Sequence, residues 1–358
     1  MIKKLLREAL AFKGQIDEID WSDTFSDVKK TCLDPEVVVN YLNDVRANAS
    51  IEYDKRKKFD NSMPYIHAKS RLFNDKKDVD VKSFINKMTK KPKNIINTNK
   101  KILKSGGPNE FVYKTGVPAF KGIVFDINKQ KFFIINTCPG AGACVFYCYA
   151  RKGNYIRYPN SYDSLTRRVN YLLNYPDKYE EQMYNEIKAK CIEHKALSGY
   201  KHKLIIRWND SGDFFAKRYV KIAEDVIERV KKEGYNVDSY AYTKNADVAN
   251  DANFETAFST DSNKKELKKV NQEKQKLSKT IPIKLFKDLD LMKIDDEKIL
   301  KDRVAKYFNL NRDEVITYDE MKEMPKGNVR KWSVIVTPND GDDAGFRKDV
   351  KNILLTEH

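Results

Sequence analysis

Three cysteines stand close together in the stretch Thr137–Tyr155, TCPGAGACVFYCYARKGNY. Cys138, Cys144 and Cys148 follow a C-x5-C-x3-C spacing, with Pro-Gly-Ala-Gly-Ala between the first two. Thiolates at short spacing on one loop are the usual donors for a soft metal centre. Small residues between them let the backbone wrap closely round a bound object. Three chemistries answer to this donor set. An iron–sulfur cluster held by three cysteines leaves one iron open for a substrate or cofactor. A structural zinc wants a full tetrahedral ligand set, for which Cys191, His194 and His202 are remote candidates. The third is a group of buried thiols with no metal. Cys191 and His194, spaced i, i+3 on an expected helix, share a face, where packing is the commoner role. Cys32 reads as a small core residue. Tyr147, Tyr149 and Tyr155 suit either stacking on a base or cofactor or packing around the loop.

A second set of polar residues follows apolar runs. KLIIRW leads into Asn209-Asp210-Ser211-Gly212-Asp213, and VDSYAY into Thr243-Lys244-Asn245. FETAF leads into Ser259-Thr260-Asp261-Ser262, and WSVIVT into Pro338-Asn339-Asp340-Gly341-Asp342. In parallel sheets, ligands bind beyond the carboxyl ends of the strands. Loops are also polar for plain turn-forming reasons, so the weight lies in the clusters falling in phase. Asp213 stands out: Gly212 before it permits a tight turn, and the aspartate suits either a ligand contact or an N-cap for a helix near Phe214.

These residues need a scaffold. Helices are expected over Ile2–Phe12, Pro35–Asn48 and Val81–Met88, the second opened by Asp34 as N-cap and Pro35 at the first helical position. Ser105-Gly106-Gly107-Pro108 breaks the chain. Beyond it, Ala119–Ile127 and Lys131–Asn136 read as a strand pair across Asn128-Lys129-Gln130. Helices follow near Ser161–Asn174 and Asp177–Lys195. Lys203–Trp208, Val237–Tyr242, Glu255–Phe258 and Trp332–Thr337 read as strands. Phe214–Lys232 is an amphipathic helix with Val220, Ala223, Ile227 and Val230 on one face, and a helical tail is expected from Gly345. Strands alternating with helices predict an α/β fold with a parallel sheet. The expected organisation is a helical, basic region over 1–108, an α/β core over 109–262 and 331–358, and a charged helical insertion over 263–330.

The chain has 358 residues, 68 Lys+Arg against 52 Asp+Glu and a formal net charge of +16. At 11% aromatic it is not a disordered chain. With a mean hydropathy of −0.69 and no long apolar run, it is not a membrane protein. Arg7 and Glu8 interrupt any signal-like core near the N-terminus, so an amphipathic helix is expected there. Five cysteines in a chain of this length fit a reducing compartment, which points to the cytoplasm. From Val81 to Lys104 the chain is rich in lysine and free of acid. Lys82, Lys87, Lys90, Lys91 and Lys93 are therefore candidate phosphate contacts to DNA or RNA, or a solvated surface.

Cys138-Pro139, Cys144 and Cys148-Tyr149-Ala150, followed by Arg207–Phe214 and Tyr242-Thr243-Lys244, resemble the phage-encoded family called gene product 88. The same loop is similar to that of radical S-adenosylmethionine enzymes. The resemblance covers about residues 110–260 and 331–358. It implies a partial (β/α) barrel, a cysteine loop after the first strand, and a Gly-Gly-Glu-like motif at the end of the second, where Ser211-Gly212-Asp213 stands here. The usual spacing in those enzymes is C-x3-C-x2-C, and this chain departs from it. The resemblance further implies a [4Fe–4S] cluster on Cys138, Cys144 and Cys148. It gives S-adenosylmethionine to Asn209, Ser211, Gly212, Asp213, Lys244 and Ser259, with Asp213 on its ammonium. The function expected is a radical-type enzyme acting on a nucleotide or nucleic acid, in the host cytoplasm. The alternative is a nucleic-acid-binding phage protein whose metal is structural.

Overall fold

The computed structural model describes residues 24–47, 63–73, 79–103, 105–146, 148–151, 155, 157–291, 293–337, 340–341 and 343–356. The expected helix Ile2–Phe12 lies outside them, as do Tyr147, Pro338, Asn339 and Asp342. Eleven strands are present among these residues. They are β1 (Lys30–Leu33), β2 (Glu110–Lys114), β3 (Lys121–Asp126), β4 (Lys131–Asn136), β5 (Lys203–Trp208) and β6 (Val237–Thr243). The others are β7 (Glu255–Ser259), β8 (Lys276–Ile281), β9 (Val315–Thr317), β10 (Trp332–Val336) and β11 (Val350–Thr356). The helices are α1 (Pro35–Ala47), α2 (Val81–Met88), α3 (Lys100–Leu103), α4 (Pro159–Asn174) and α5 (Pro176–Glu193). After them come α6 (Lys217–Lys232), α7 (Ala246–Asp251), α8 (Lys264–Lys269), α9 (Ile294–Phe308) and α10 (Tyr318–Glu323).

Eight strands form one sheet in the order β2-β5-β6-β7-β8-β11-β10-β9, and every neighbouring pair is parallel. Parallel strands are covered on their faces and read as near-continuous apolar runs. KLIIRW is buried from Leu204 through Trp208 for that reason. The main core lies between β5, β6 and the helices α4, α5 and α6. On α6, Tyr219, Ile222, Ala223, Val226, Ile227 and Val230 are buried, while Val220 is only half-buried.

A separate three-stranded sheet, β1-β4-β3, holds the antiparallel hairpin expected from the sequence. Ile123, Phe125 and Phe132 pack there against Val38 and Leu42 of α1 and Phe84, Ile85 and Met88 of α2. Two asparagines of α4 close the free edge of β3. Asn170 Oδ1 accepts from the Phe125 N–H at 2.9 Å, and its amide donates to the Ile123 carbonyl at 3.0 Å. Asn174 does the same for the Ile127 N–H and the Phe125 carbonyl, each at 3.0 Å. The spacing i, i+4 puts both amides on one face of the helix, so they mimic a strand edge.

Several expectations are corrected. The tail beyond Gly345 is not helical. Its VKNILLT run is β11, paired between β8 and β10. A short apolar run gives the same pattern as a buried helix segment, and only its position in the sheet decides. The segment 263–330 is not a helical insertion throughout. It has α8, α9 and α10, but it also supplies β8 and β9 to the sheet. Its polar strand KLSKTI masks a buried register, with Lys276 fully buried. The N-terminal region carries β1 as well as helices, and Cys32 on β1 is exposed rather than core. α6 begins at Lys217 with Ala216 at its cap position, so Asp213 is not its N-cap.

Removing the amides of α4 tests the edge mimic. Asn170→Leu leaves the Phe125 N–H and the Ile123 carbonyl buried without partners, at about 1–3 kcal/mol each. A shift of the denaturant midpoint equivalent to about 2–4 kcal/mol is expected; a change within about 0.5 kcal/mol would return the ladder to incidental contact.

Candidate functional site

The cysteine loop leaves β4 and lies across the carboxyl ends of β5, β6 and β7. Its first anchor is at β5, where the Asp213 N–H donates to the Thr137 carbonyl at 2.9 Å. Its second is at β6, where Gly140 packs on Lys244. A Cβ at Gly140 would stand 2.0 Å from the Lys244 carbonyl oxygen, so only glycine allows that approach. The third is beyond β7. Ala141 pairs antiparallel with Ser262, the Asn263 N–H donates to the Gly140 carbonyl at 2.9 Å, and the Asn263 amide donates to the Pro139 carbonyl at 3.2 Å. The small residues therefore serve contact with the strand ends, where the sequence suggested contact with a bound object. The loop follows a hairpin rather than the first strand of the parallel sheet, which is β2.

Cys138, Cys144 and Cys148 are half-buried and free. Burial pushes the Cys138 thiol far up, with Asp213 adding to the rise and Lys244 opposing it. The Phe120 N–H donates to Cys138 Sγ at 3.3 Å. Burial raises Cys144 as well, against the pull of Lys244. All three sulfurs act on the Lys244 ammonium. Burial would lower it, but Cys144, Asp213, Cys138 and Cys148 together hold it above its ordinary value. Among the described residues, no three His, Cys, Asp or Glu side chains are grouped as a ready metal site. The donor set nevertheless suits a soft metal centre in its chemistry: three thiols, a backbone N–H on one of them, and a cation to offset thiolate charge.

The remote zinc candidates are elsewhere. Cys191 sits in the main core, its thiol pushed up to about 12 by burial. The His194 ring stacks on Phe111 at 4.0 Å and meets the Tyr113 hydroxyl at 3.0 Å. His202 immediately precedes β5 and bonds the His194 carbonyl at 2.8 Å. These three stand at the amino end of β5, and the cysteine loop stands at its carboxyl end.

Asp213 is buried and accepts three hydrogen bonds. Oδ1 accepts from the Phe214 N–H at 2.7 Å and the Thr243 hydroxyl at 2.8 Å, and Oδ2 accepts from the Lys244 N–H at 2.7 Å. Burial raises its pKa despite Lys244. Gly212, at φ +77°, makes the turn; a Cβ there would meet Val117 Cγ2 at 2.4 Å. Asn209 is also left-handed, at φ +55°, and its Oδ1 accepts from the Tyr219 hydroxyl at 2.8 Å. Asn209 Nδ2 and Ser211 Oγ are buried without hydrogen-bond partners. Ser259 closes β7, its carbonyl accepting from the Ser262 hydroxyl at 2.6 Å. Asp261 accepts from the Thr280 hydroxyl at 2.5 Å. In the fourth polar cluster Asp340 accepts from the Thr337 N–H, and Asp343, which follows the cluster, accepts from the Tyr318 hydroxyl.

Sequence reasoning missed the charge centre at Asp210. Its carboxylate pairs with Arg207 at 2.9 Å and with Lys114, and it receives the hydroxyls of Tyr155 and Tyr149. Tyr149 and Tyr155 therefore bond the strand end through their hydroxyls. The signal available was Arg207 three residues before Asp210 at the end of a buried strand. Burial alone would raise Asp210, but Arg207 and Lys114 outweigh it and hold its pKa at about 2.

Because that value lies below the ordinary 3.8, Asp210 stabilises the fold above about pH 4, and the contribution drains away as pH falls toward 2. The shift corresponds to about 2–3 kcal/mol. Asp210→Asn should lower stability at pH 7 and flatten its dependence on pH between about 4 and 2. Equal acid sensitivity in both proteins, followed by denaturant melts at each pH, would mean that other carboxylates carry the effect.

No helix of the described residues is long and apolar enough to cross a membrane. Neither the curated proteins nor the solved structures yield a match. No comparison ties the chain to radical S-adenosylmethionine enzymes. One family model matches, that of gene product 88, over residues 86–341. The match takes in the segment 263–330 and the end of α2, both of which lie outside the resemblance read from the sequence. A match over most of the chain, with the cysteine loop and the ends of β5, β6 and β7 inside it, makes this chain a member of the gene product 88 family.

Proposed function

We propose that this chain is an iron–sulfur protein in which Cys138, Cys144 and Cys148 hold a [4Fe–4S] cluster at the carboxyl edge of a partial (β/α) barrel. The observation that carries the reading is that one loop, docked across the carboxyl ends of β5, β6 and β7, carries three half-buried thiols. With three protein ligands, the cluster would keep one iron open and supply one-electron chemistry to a bound S-adenosylmethionine. The substrate class is a nucleotide or nucleic acid, supported by the net charge of +16. In this reading Lys244 offsets the charge of the thiolates, and the Phe120 N–H stabilises the Cys138 sulfur. Asn209 Nδ2 and Ser211 Oγ are the polar atoms with capacity left for a cofactor. Asp213 acts as a positioning residue, since three internal donors occupy its carboxylate.

That last observation also favours a second reading. If Asp213 has no capacity for an ammonium group, the metal is structural and the chain is a nucleic-acid-binding protein. Of the lysines expected to contact phosphate, Lys82, Lys90, Lys91 and Lys93 are exposed. Lys87 donates to the Phe73 carbonyl at 2.6 Å and is spent on the fold.

Protein made without oxygen should be brown and contain about four irons per chain. Cys138→Ala, Cys144→Ala and Cys148→Ala should each remove most of the iron, while Cys32→Ala should not. Stoichiometric zinc without iron under those conditions would sink the cluster. Titration with S-adenosylmethionine, followed by the paramagnetic resonance of the reduced cluster, separates the two readings. No response at millimolar concentration would leave only the structural one.

A further inference from the structure

From Ile127 to Tyr162 the chain contains no Asp or Glu, and its charged residues are Lys129, Lys131, Arg151, Lys152 and Arg157. Three aromatic side chains of this stretch face solvent: Phe146 is 81% exposed, Tyr158 53% and Tyr149 40%. A lone exposed aromatic needs no explanation. Here three are interleaved in sequence with Arg151 and Arg157: Phe146 and Tyr149 lie either side of Cys148, and Tyr158 stands at the start of α4. They stand on a braced backbone. The Tyr149 hydroxyl bonds Asp210. The Arg151 guanidinium donates to the Val145 carbonyl at 3.2 Å and lies 5.5 Å from the centre of the Phe120 ring. Tyr158 precedes the first residue of α4.

α4 connects this rim to the basic segment. Arg167 Nε donates to the Lys87 carbonyl at 3.0 Å, and Arg168 Nε to the Asn94 carbonyl at 3.2 Å. Arg167 is roughly 14 Å along the helix from Tyr158 at 1.5 Å per residue. The exposed Lys90, Lys91 and Lys93 are thus fixed to the same helix that begins at the aromatic rim.

We infer that Phe146, Tyr149 and Tyr158 form a stacking platform for single-stranded nucleic acid, with Arg157 and the exposed lysines following its phosphates. Bases stack on aromatic rings only when their faces are free, and a basic groove beside the rings tracks the backbone. A duplex offers phosphates but no open base faces. The inference deepens the reading of a nucleic-acid substrate given above, by naming its strand state, and its binding requires no metal.

The test uses the full chain and labelled oligo-dT and oligo-rU of about fifteen nucleotides, with a duplex of equal length, by fluorescence anisotropy at several salt concentrations. Single strands should bind at least roughly ten-fold tighter than the duplex. The double change Phe146→Ala, Tyr158→Ala should weaken single-strand binding roughly ten- to hundred-fold and leave duplex binding and Tm unchanged. Replacing Lys90, Lys91 and Lys93 by Gln should reduce the salt slope by about 0.7 for each phosphate no longer neutralised. Equal affinity for duplex and single strand, or an affinity indifferent to the aromatic change, would overturn the platform and leave charge alone. Absence of binding to every oligonucleotide at low salt would overturn it too, and would give the rim to a protein partner. Cys138→Ala keeps the two proposals apart: the variant should lose its iron and still bind oligonucleotide, whereas wild type that binds oligonucleotide but holds no iron would sink the cluster and leave the platform standing.

Discussion

Asp213 is the knot on which the site depends. One buried residue joins three chain segments: its N–H holds the start of the cysteine loop at Thr137, and its carboxylate holds the ends of β5 and β6. A carboxylate with three donors in a buried place is worth more than the sum of exposed contacts, because each donor would otherwise be left unpaired. The turn that delivers it needs two left-handed residues, Asn209 and Gly212. Asn and Gly tolerate that conformation better than other residues. The composition NDSGD is thus first a geometric requirement, and any ligand chemistry is built on top of it.

Two ionic centres flank that knot. Around Lys244 the charge is one cation among thiols and Asp213, and its pull opposes, without overcoming, the burial that keeps Cys138 and Cys144 protonated. Around Asp210 the balance is reversed, with Arg207 and Lys114 on a single carboxylate and the Arg207 guanidinium 5.3 Å from the centre of the Tyr242 ring. Both lie at the carboxyl edge of the sheet. Buried charges of this kind survive only when paired, so the carboxyl edge carries a fixed pattern of charge before any partner arrives.

The sequence was legible where local rules dominate. The hairpin β3–β4, α1 with its Asp34 contact to the Glu36 N–H, and the strands β5, β6, β7 and β10 all follow from period and punctuation. It was illegible where the sheet alone decides. β8 carries Lys276 inside the fold, bonded to the Gly345 carbonyl at 2.7 Å and to Glu255, so its polar composition conceals a strand. β11 reads as a helix or a strand until its partners are known. In the site, the thiols and Asp213 could be named from type and spacing. The Asp210 centre depends on Lys114, Tyr149 and Tyr155, which are distant along the chain and meet only in the fold.

The unusual cysteine spacing has a physical account in the same geometry. The loop is held to β5 at Thr137 and beyond β7 at Ala141. β5 and β7 are separated by one strand, so the crossing is about 10 Å at the usual spacing between strands. The chain makes that crossing as a turn rather than an extended run, with the Ala141 N–H donating to the Cys138 carbonyl at 3.0 Å. Pro139, Gly140 and Ala141 are then occupied by Asn263 and Ser262, and the chain must continue before it can present Cys144. The C-x5-C interval thus holds both the turn that docks across three strand ends and the residues that carry the chain on from its pairing with Ser262 to Cys144.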